Sequence, residues 1–360
     1  MKLLLDAPVN DLSFGNVTLN LIKEFKKKNV ELGIFPTRGT VNISSFDLDQ
    51  ETLSYIEDAI NNRYSFLKQD IPALKLWHLD GAEERKAPNQ FLFTFYECSE
   101  PTDVELSIAN SQNKTIFSSQ YSRDIFREKG CDKSESVTLG FDDDFKVIEG
   151  AGLDGVVHFG LMGKFERRKH TAKIIQTWLN KYGNNNKYQL TCCVNNPFFK
   201  DDGMQKAIEQ TLQGHRFTNI NFLPRLQKNS EVNELLNSID IDLTGLSGGE
   251  GWNLPAFNAT CLGKWSVVLN ETSHKDWATE ENSILVESNA KFDCYDNMFF
   301  RQGINFNQGQ FYDWSVDEAV AAMEKAESKV GQINSEGRKL AEEMSYSKTV
   351  DDILAYIQES

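Results

Sequence analysis

The chain lacks long hydrophobic runs and any cysteine pairing pattern, and it is short of positive charge. No uninterrupted apolar stretch approaches the ~18 residues needed to cross a bilayer, so no transmembrane helix is expected. The apolar run at Met1–Asp6 is too short for a secretion signal, and an acidic residue and a proline follow at once. The six cysteines (Cys98, Cys131, Cys192, Cys193, Cys261 and Cys294) form no CxxC pair. They read as reduced thiols of a cytosolic protein, mostly small core residues. No His and Cys residues gather into a metal cluster, so no metal is expected. Solenoid repeats are missing too. Only 38 basic residues stand against 53 acidic ones, a formal net charge of −15. That field repels nucleic-acid backbones and anionic lipid surfaces unless a local basic patch overrides it. Duplex DNA is disfavoured as a partner but not excluded. The longest basic candidate, Lys26–Lys28 after Lys23, reads as the solvated end of an amphipathic helix, whose dipole it suits.

What is present is ordinary globular composition, 40% hydrophobic and 25% charged, in a chain long enough for two domains. The first half alternates strands and helices. Strands are expected at 2–6, 30–35, 74–79, 90–96 and 116–118, and helices at 17–28, 52–67 and 120–129. Residues 10–16 read as a loop holding Gly15. A strand, glycine loop, helix and strand within about thirty-five residues form a Rossmann-like unit. The loop is not GxGxxG, so it does not argue for NAD. The pattern breaks at 140–155, where acids and glycines have no apolar period; the interdomain linker is placed there. Alternation then restarts, with strands at 156–161, 188–194, 220–223, 239–244 and 266–269. Helices are expected between them at 171–181, 203–212, 232–238 and 254–262, and later at 317–330, 335–344 and 347–358. The domain ranges are therefore 1–150, 151–345 and a last helical segment 346–360, for which a crossing back to the first domain is left open. Two such domains place a ligand cleft at the carboxyl ends of both sheets.

Two segments carry chemistry. Ser247-Gly-Gly-Glu-Gly-Trp-Asn-Leu-Pro-Ala-Phe-Asn258 is a glycine-rich turn with one acid at its tip, between a strand and a helix with Pro255 in its first turn, where proline is tolerated. Free backbone N–H groups and the helix dipole make such a turn an anion site. Glu250 is a poor phosphate ligand but a good acceptor for hydroxyls, so the ligand inferred carries both groups, as a nucleotide-sugar does. The alternative is an ordinary strand-to-helix loop. The second segment, Gly163-Lys-Phe-Glu-Arg-Arg-Lys-His170, puts Lys164, Arg167, Arg168 and Lys169 at a helix N-terminus in an acidic protein. There they oppose the dipole unless a bound anion stabilises them. The alternative is a surface turn paired with nearby carboxylates. In the first half, His78 and Asp80 end one expected strand and Glu97 ends another; Glu97 has the chemistry to orient or deprotonate an acceptor hydroxyl. A lone histidine such as His78 is more often a structural residue, though carboxyl ends of parallel strands line the cleft.

These segments, in this order, resemble the retaining glycosyltransferases of family 4, which have the GT-B fold. Phe159-Gly-Leu-Met-Gly-Lys-Phe-Glu-Arg-Arg-Lys-His is similar to the strand, Gly-Arg/Lys and later Lys that open the family's second domain. Gly249-Glu-Gly-Trp-Asn-Leu-Pro-Ala-Phe-Asn258 falls where the family has Glu-x7-Glu. Phe117-Ser-Ser-Gln-Tyr-Ser, Leu139-Gly-Phe-Asp, Gly263-Lys-Trp-Ser-Val-Val and Tyr346-Ser-Lys-Thr-Val are weaker matches that extend the likeness along most of the chain. The resemblance implies two Rossmann-like, doubly wound α/β domains facing each other across a cleft. It implies Lys164 and Lys169 gripping a donor diphosphate, Glu250 holding the sugar's hydroxyls, and Gly15 approaching the diphosphate from the first domain. Gly249, Gly251, Trp252, Asn253 and Leu254 complete the donor turn, and Arg225 lies where the family's nucleotide base packs. The sequence departs from the pattern at Asn258, which replaces the second, ribose-binding acid; an amide can still serve ribose hydroxyls.

The function implied is metal-independent, retaining transfer of a hexose-type sugar from a nucleoside-diphosphate sugar to a hydroxyl of a glycan, lipid, protein or modified nucleobase. Glu250, Lys169, Lys164, His78 and Glu97 are the candidate catalytic residues. No cofactor is expected beyond the nucleotide-sugar co-substrate, such as a UDP- or GDP-sugar, and a cytoplasmic location is expected. The rivals are an inactive GT-B-like glycan- or nucleotide-binding protein, and an epimerase or phosphorylase on the same fold.

Overall fold

The computed structural model describes residues 1–296 and 298–359. Asn297 and Ser360, which fall inside the expected domain ranges, lie outside the described residues. The chain forms two compact units, one of residues 1–142, 303–309 and 344–360, the other of 143–302 and 310–343.

The first unit holds six parallel strands: β1 (Lys2–Val9), β2 (Glu31–Val41), β3 (Ala73–Leu76), β4 (Gln90–Thr94), β5 (Lys114–Phe117) and β6 (Ser134–Ser136). Their order is β2-β1-β3-β4-β5-β6. Helices α1 (Ser13–Lys27), α2 (Gln50–Phe66), α3 (Asp103–Ser111) and α4 (Gln120–Glu128) connect them. Central β1 is buried along all but its first residue, as expected of a parallel strand covered on both faces. It runs past the expected end at Asp6. Asp6 is itself buried and meets Lys75 of adjacent β3 at 3.3 Å, in direct register, so the acid is neutralised inside the sheet rather than ending it. Helix α1 buries Val17, Leu21 and Phe25 on one stripe, the four-residue spacing of a single helix face. Helix α3 was not foreseen, yet it opens on a full capping box between Thr102 and Glu105. Segment 303–309 is pinned to that cap: Asn307 N–H donates to Glu105 Oε1 at 2.8 Å, and Thr102 Oγ1 donates to the carbonyl of Asn305 at 2.6 Å.

The second unit has a second parallel sheet of β7 (Val157–Met162), β8 (Tyr188–Cys193), β9 (Ile220–Phe222), β10 (Ile241–Asp242), β11 (Trp265–Leu269) and β12 (Ser283–Val286), in the order β12-β11-β10-β7-β8-β9. Helices α5 (Thr171–Tyr182), α6 (Gly203–Thr211), α7 (Asn229–Ser238) and α8 (Leu254–Cys261) cross between these strands. An antiparallel hairpin, β13 (Ala290–Asp293) and β14 (Gln310–Asp313), follows, then α9 (Val316–Glu327) and α10 (Ser335–Glu343). The last helix, α11 (Tyr346–Gln358), belongs to the first unit and packs on α1. β10 is shorter than the 239–244 expected, because Thr244–Leu246 tightens into a 3₁₀ turn. The edge strand β12 and the hairpin gave no readable period. All six cysteines are free and buried, and burial pushes the thiols of Cys192, Cys193 and Cys261 up. No helix of the described residues is long and apolar enough to cross a membrane.

Candidate active site

In an open parallel sheet, ligands sit where two neighbouring strands send their connections to opposite sides, beyond the strands' carboxyl ends. In the second unit that point lies between β7 and β10, paired Phe159 to Ile241 and Gly160 to Asp242. The two loops leaving it are 163–170 and 243–253, the two chemistry-bearing segments of the sequence. Topology alone therefore brings them together.

The glycines there make room for backbone contact. A Cβ on Gly248 would stand 2.2 Å from the carbonyl oxygen of Tyr312 and 2.7 Å from the His170 ring. Gly248 N–H donates to the Arg168 carbonyl at 2.9 Å and its own carbonyl accepts from Tyr312 N–H at 2.8 Å. Three segments are thus joined through one residue without a side chain. The turn then reverses through Asn253 at φ 70 and enters α8, with Pro255 in its first turn.

At the centre stands Glu250, 4% exposed. Its Oε1 is 2.5 Å from Lys169 Nζ and its Oε2 is 3.1 Å from an Arg168 guanidinium nitrogen. Burial pushes this carboxyl up, but Lys169 and Arg168 overcome it and hold it well below the usual carboxylate range. Arg168 also meets Glu166 at 2.9 Å and donates to the Gly249 carbonyl. Glu166 in turn meets Lys164 at 2.9 Å. Its carboxyl is likewise held down: burial opposes, and Arg168, Lys164 and Lys169 prevail. Lys164, Glu166, Arg168, Glu250 and Lys169 are one connected set of charges. Lys164 is the most open of the five, its ammonium held over the rings of Phe198 and Phe299 at 5.4 and 4.8 Å.

Behind the acid lies a neutral network. Glu250 N–H donates to Thr272 Oγ1 at 3.3 Å. His274 Nδ1 faces the Leu269 carbonyl at 2.8 Å, so that nitrogen carries the proton, and Nε2 accepts from Asn253 Nδ2 at 2.9 Å. Full burial lowers the His274 pKa to about 4, which fixes the neutral ring. The same Asn253 nitrogen donates to the Thr244 carbonyl at 3.0 Å.

The remaining sequence candidates fall in several places. Lys164, Lys169, Gly249, Glu250, Gly251 and Asn253 all lie on the two switch-point loops, with Leu254 half-buried at the first turn of α8. Trp252 is buried, its ring 5.3 Å from Phe257, so its side chain belongs to the core and only its backbone lines the turn. Asn258 is buried on α8, and its Oδ1 has no hydrogen-bond partner among the described residues. Arg225 is half-buried in the segment after β9. In the first unit the equivalent switch point lies between β1 and β3. Gly15 is near it, in the first turn of α1 rather than in a loop; a Cβ there would stand 2.0 Å from the Asn10 carbonyl oxygen. His78 is exposed beyond β3, its ring 4.5 Å from that of Phe14. Glu97 is half-buried beyond β4. The sequence places Arg168 only in the basic, anion-binding cluster, not beside Glu250, and marks no role for Glu166 or His274. An acid inside a basic run was the available signal for Glu166; nothing in the spacing marked His274.

No protein-family model matches the chain, and no curated protein matches it in sequence. Solved structures do match. Sucrose-phosphate synthase from Thermosynechococcus elongatus superposes with a TM-score of 0.71 at 12% identity, covering 100% of this chain and 98% of that one. HepE of Anabaena, in complex with UDP and glucose, gives 0.68 at 13% identity, covering 100% of both. The trehalose-6-phosphate synthase OtsA gives 0.67 at 11%, covering 100% of this chain and 99% of that one. With its two parallel sheets and full-length likeness to these enzymes, the chain has the GT-B fold of two Rossmann-like domains.

Proposed function

We propose that this protein is a glycosyltransferase that takes a sugar from a nucleoside-diphosphate sugar and delivers it to a hydroxyl acceptor. The observation that carries this reading is the meeting of Arg168 and Lys169 with Glu250, and of Lys164 with the adjoining Glu166, at the switch point of the second sheet. Transfer breaks the bond between the anomeric carbon and a phosphate oxygen. Negative charge grows on the departing diphosphate, and Lys164, Lys169 and the N-terminus of α8 are the groups that stabilise it. Those cations offset the leaving group's negative charge directly, so the reaction is read as metal-independent, with no cofactor beyond the co-substrate. Each carboxylate oxygen accepts more than one hydrogen bond; Glu250 therefore holds sugar hydroxyls while remaining paired. Retention follows from acceptor attack on the leaving-group side, the course implied by the family resemblance. On this reading the sugar is of hexose type and the donor base rests near Arg225. Asn258 turns its unpartnered oxygen to the ribose, and His78 and Glu97 serve the acceptor. A cytoplasmic site of action fits the six unpaired thiols.

The test is incubation with a panel of UDP-, GDP- and ADP-sugars, reading released nucleoside diphosphate with and without a chelator. Expected is release with at least one donor, insensitive to the chelator and lost in Glu250→Ala and Lys169→Ala with the fold intact. Binding of a nucleotide-sugar with no release or transfer favours the inactive binding protein that Asn258 keeps in view. Conversion of the donor without transfer favours an epimerase.

A further inference from the structure

Glu250 is held by two cations of different character. Lys169 touches it through one ammonium at the end of a flexible stem. Arg168 is 5% exposed and held by several partners at once. Its guanidinium meets Glu250 Oε2 and Glu166 Oε2 and donates to the Gly249 carbonyl, and its own carbonyl accepts from Gly248 N–H. Three cations in this set face two buried carboxylates, and a diphosphate adds at least two negative charges. The lysines can turn to a ligand; the Arg168 guanidinium cannot do so without leaving Glu250, Glu166 and the Gly249 carbonyl. We propose that Arg168 is a positioning residue, the fixed counter-ion that keeps the Glu250 carboxylate charged and aimed when an anionic ligand draws Lys169 away, with Glu166 as the anchor that holds Arg168 in place. This rests on reading the two loops as a nucleoside-diphosphate site. The charged and titratable groups facing Glu250 are Lys169 and Arg168 from the 163–170 loop, with Glu166 behind them, and neutral His274 from the turn after β11.

Lys169→Gln imitates the withdrawn lysine without any ligand, so the central test needs no substrate. The Glu250 carboxyl is followed by ¹³C NMR against pH, its signal identified by its loss in Glu250→Gln. In Lys169→Gln the carboxyl should stay ionised down to pH 5. In the double variant Lys169→Gln, Arg168→Gln its midpoint should rise by about one unit or more, the shift an opposite charge at this distance imposes. Superimposable titrations of the two overturn the proposal. Should the double variant fail to fold, Arg168→Lys decides: it keeps a charge in place but cannot make the same contacts at once. With UDP-glucose, or whichever sugar the donor panel finds, kcat should fall on the order of 10²-fold while the donor KM stays within about threefold. Unchanged kcat in Arg168→Lys overturns the proposal as well. Failure of every nucleoside diphosphate to bind the native protein sinks the functional reading instead, and leaves the titration to judge Arg168.

Discussion

The two switch points of this molecule are built from opposite materials. Beyond β1 and β3 of the first unit, Phe14 packs against Trp77, His78 and Phe95, at centroid distances of 6.0, 4.5 and 4.6 Å. Beyond β7 and β10 of the second, five charged side chains are linked and mostly buried. The first unit has a buried ion pair too, Asp6 with Lys75, but it lies within the strands and Lys75 also donates to the Glu84 carbonyl. A pair inside a sheet holds the sheet. A set on loops, with one cation partly open and three facing two acids, holds spare positive charge for something else. Burial alone does not separate the two; position along the strand and the count of partners do.

Breaking the pair in the first unit should give the largest effect. Asp6→Ala leaves Lys75 buried and uncompensated, a loss of about 3–5 kcal/mol of stability, read by chemical denaturation. A change under about 1 kcal/mol would show that the pair is not structural. Lys169→Ala is the counterpart in the second unit. Glu250 keeps Arg168, so the melting temperature should move little. Turnover with the active donor should drop by a barrier on the order of 3 kcal/mol. Equal damage to stability and turnover would erase the distinction.

The pH dependence sharpens the comparison further. His274 has a folded pKa of about 4 against an ordinary 6.5, because its ring is buried. The folded state therefore binds fewer protons than the unfolded one. Its contribution is fully present above about pH 6.5 and is lost as pH falls toward 4, by up to ~3 kcal/mol. His274→Asn should lack that slope, so its melting-temperature deficit against the native protein should shrink as pH falls from 7 to 4. Parallel curves would mean that His274 is not held neutral. The smallest expected effect is at the α3 cap. Thr102→Ala removes the bond to Glu105 N–H and the anchor on Asn305, for about 1 kcal/mol, with donor turnover unchanged.

Much of the site was legible because its two loops are short and locally marked. Gly248, Gly249 and Gly251 sit beside Glu250, and Pro255 marks the helix start. The run Lys164–Lys169 is conspicuous in a chain of net charge −15. Their partners were not legible. Glu166 reads as one more surface acid until Arg168 and Lys164 are seen on either side of it. His274 is recruited by Asn253, a contact that no periodicity encodes. The hairpin of β13 and β14 is not legible because its strands are four residues each and bury little, β13 being mostly exposed and β14 mostly half-buried, yet Tyr312 of that hairpin clamps Gly248.

By itself the sequence determined the alternation of strands and helices, since apolar spacing within one element is local information, and with it the fold class and the two charged loops. Only the tertiary structure decided the pairings. Lys169 and Arg168 lie some eighty positions before Glu250, and nothing in the chain between them says which cation will be locked and which left able to move. That is settled by burial and by the number of acceptors each side chain meets, quantities that exist only once the sheet has brought β7 beside β10.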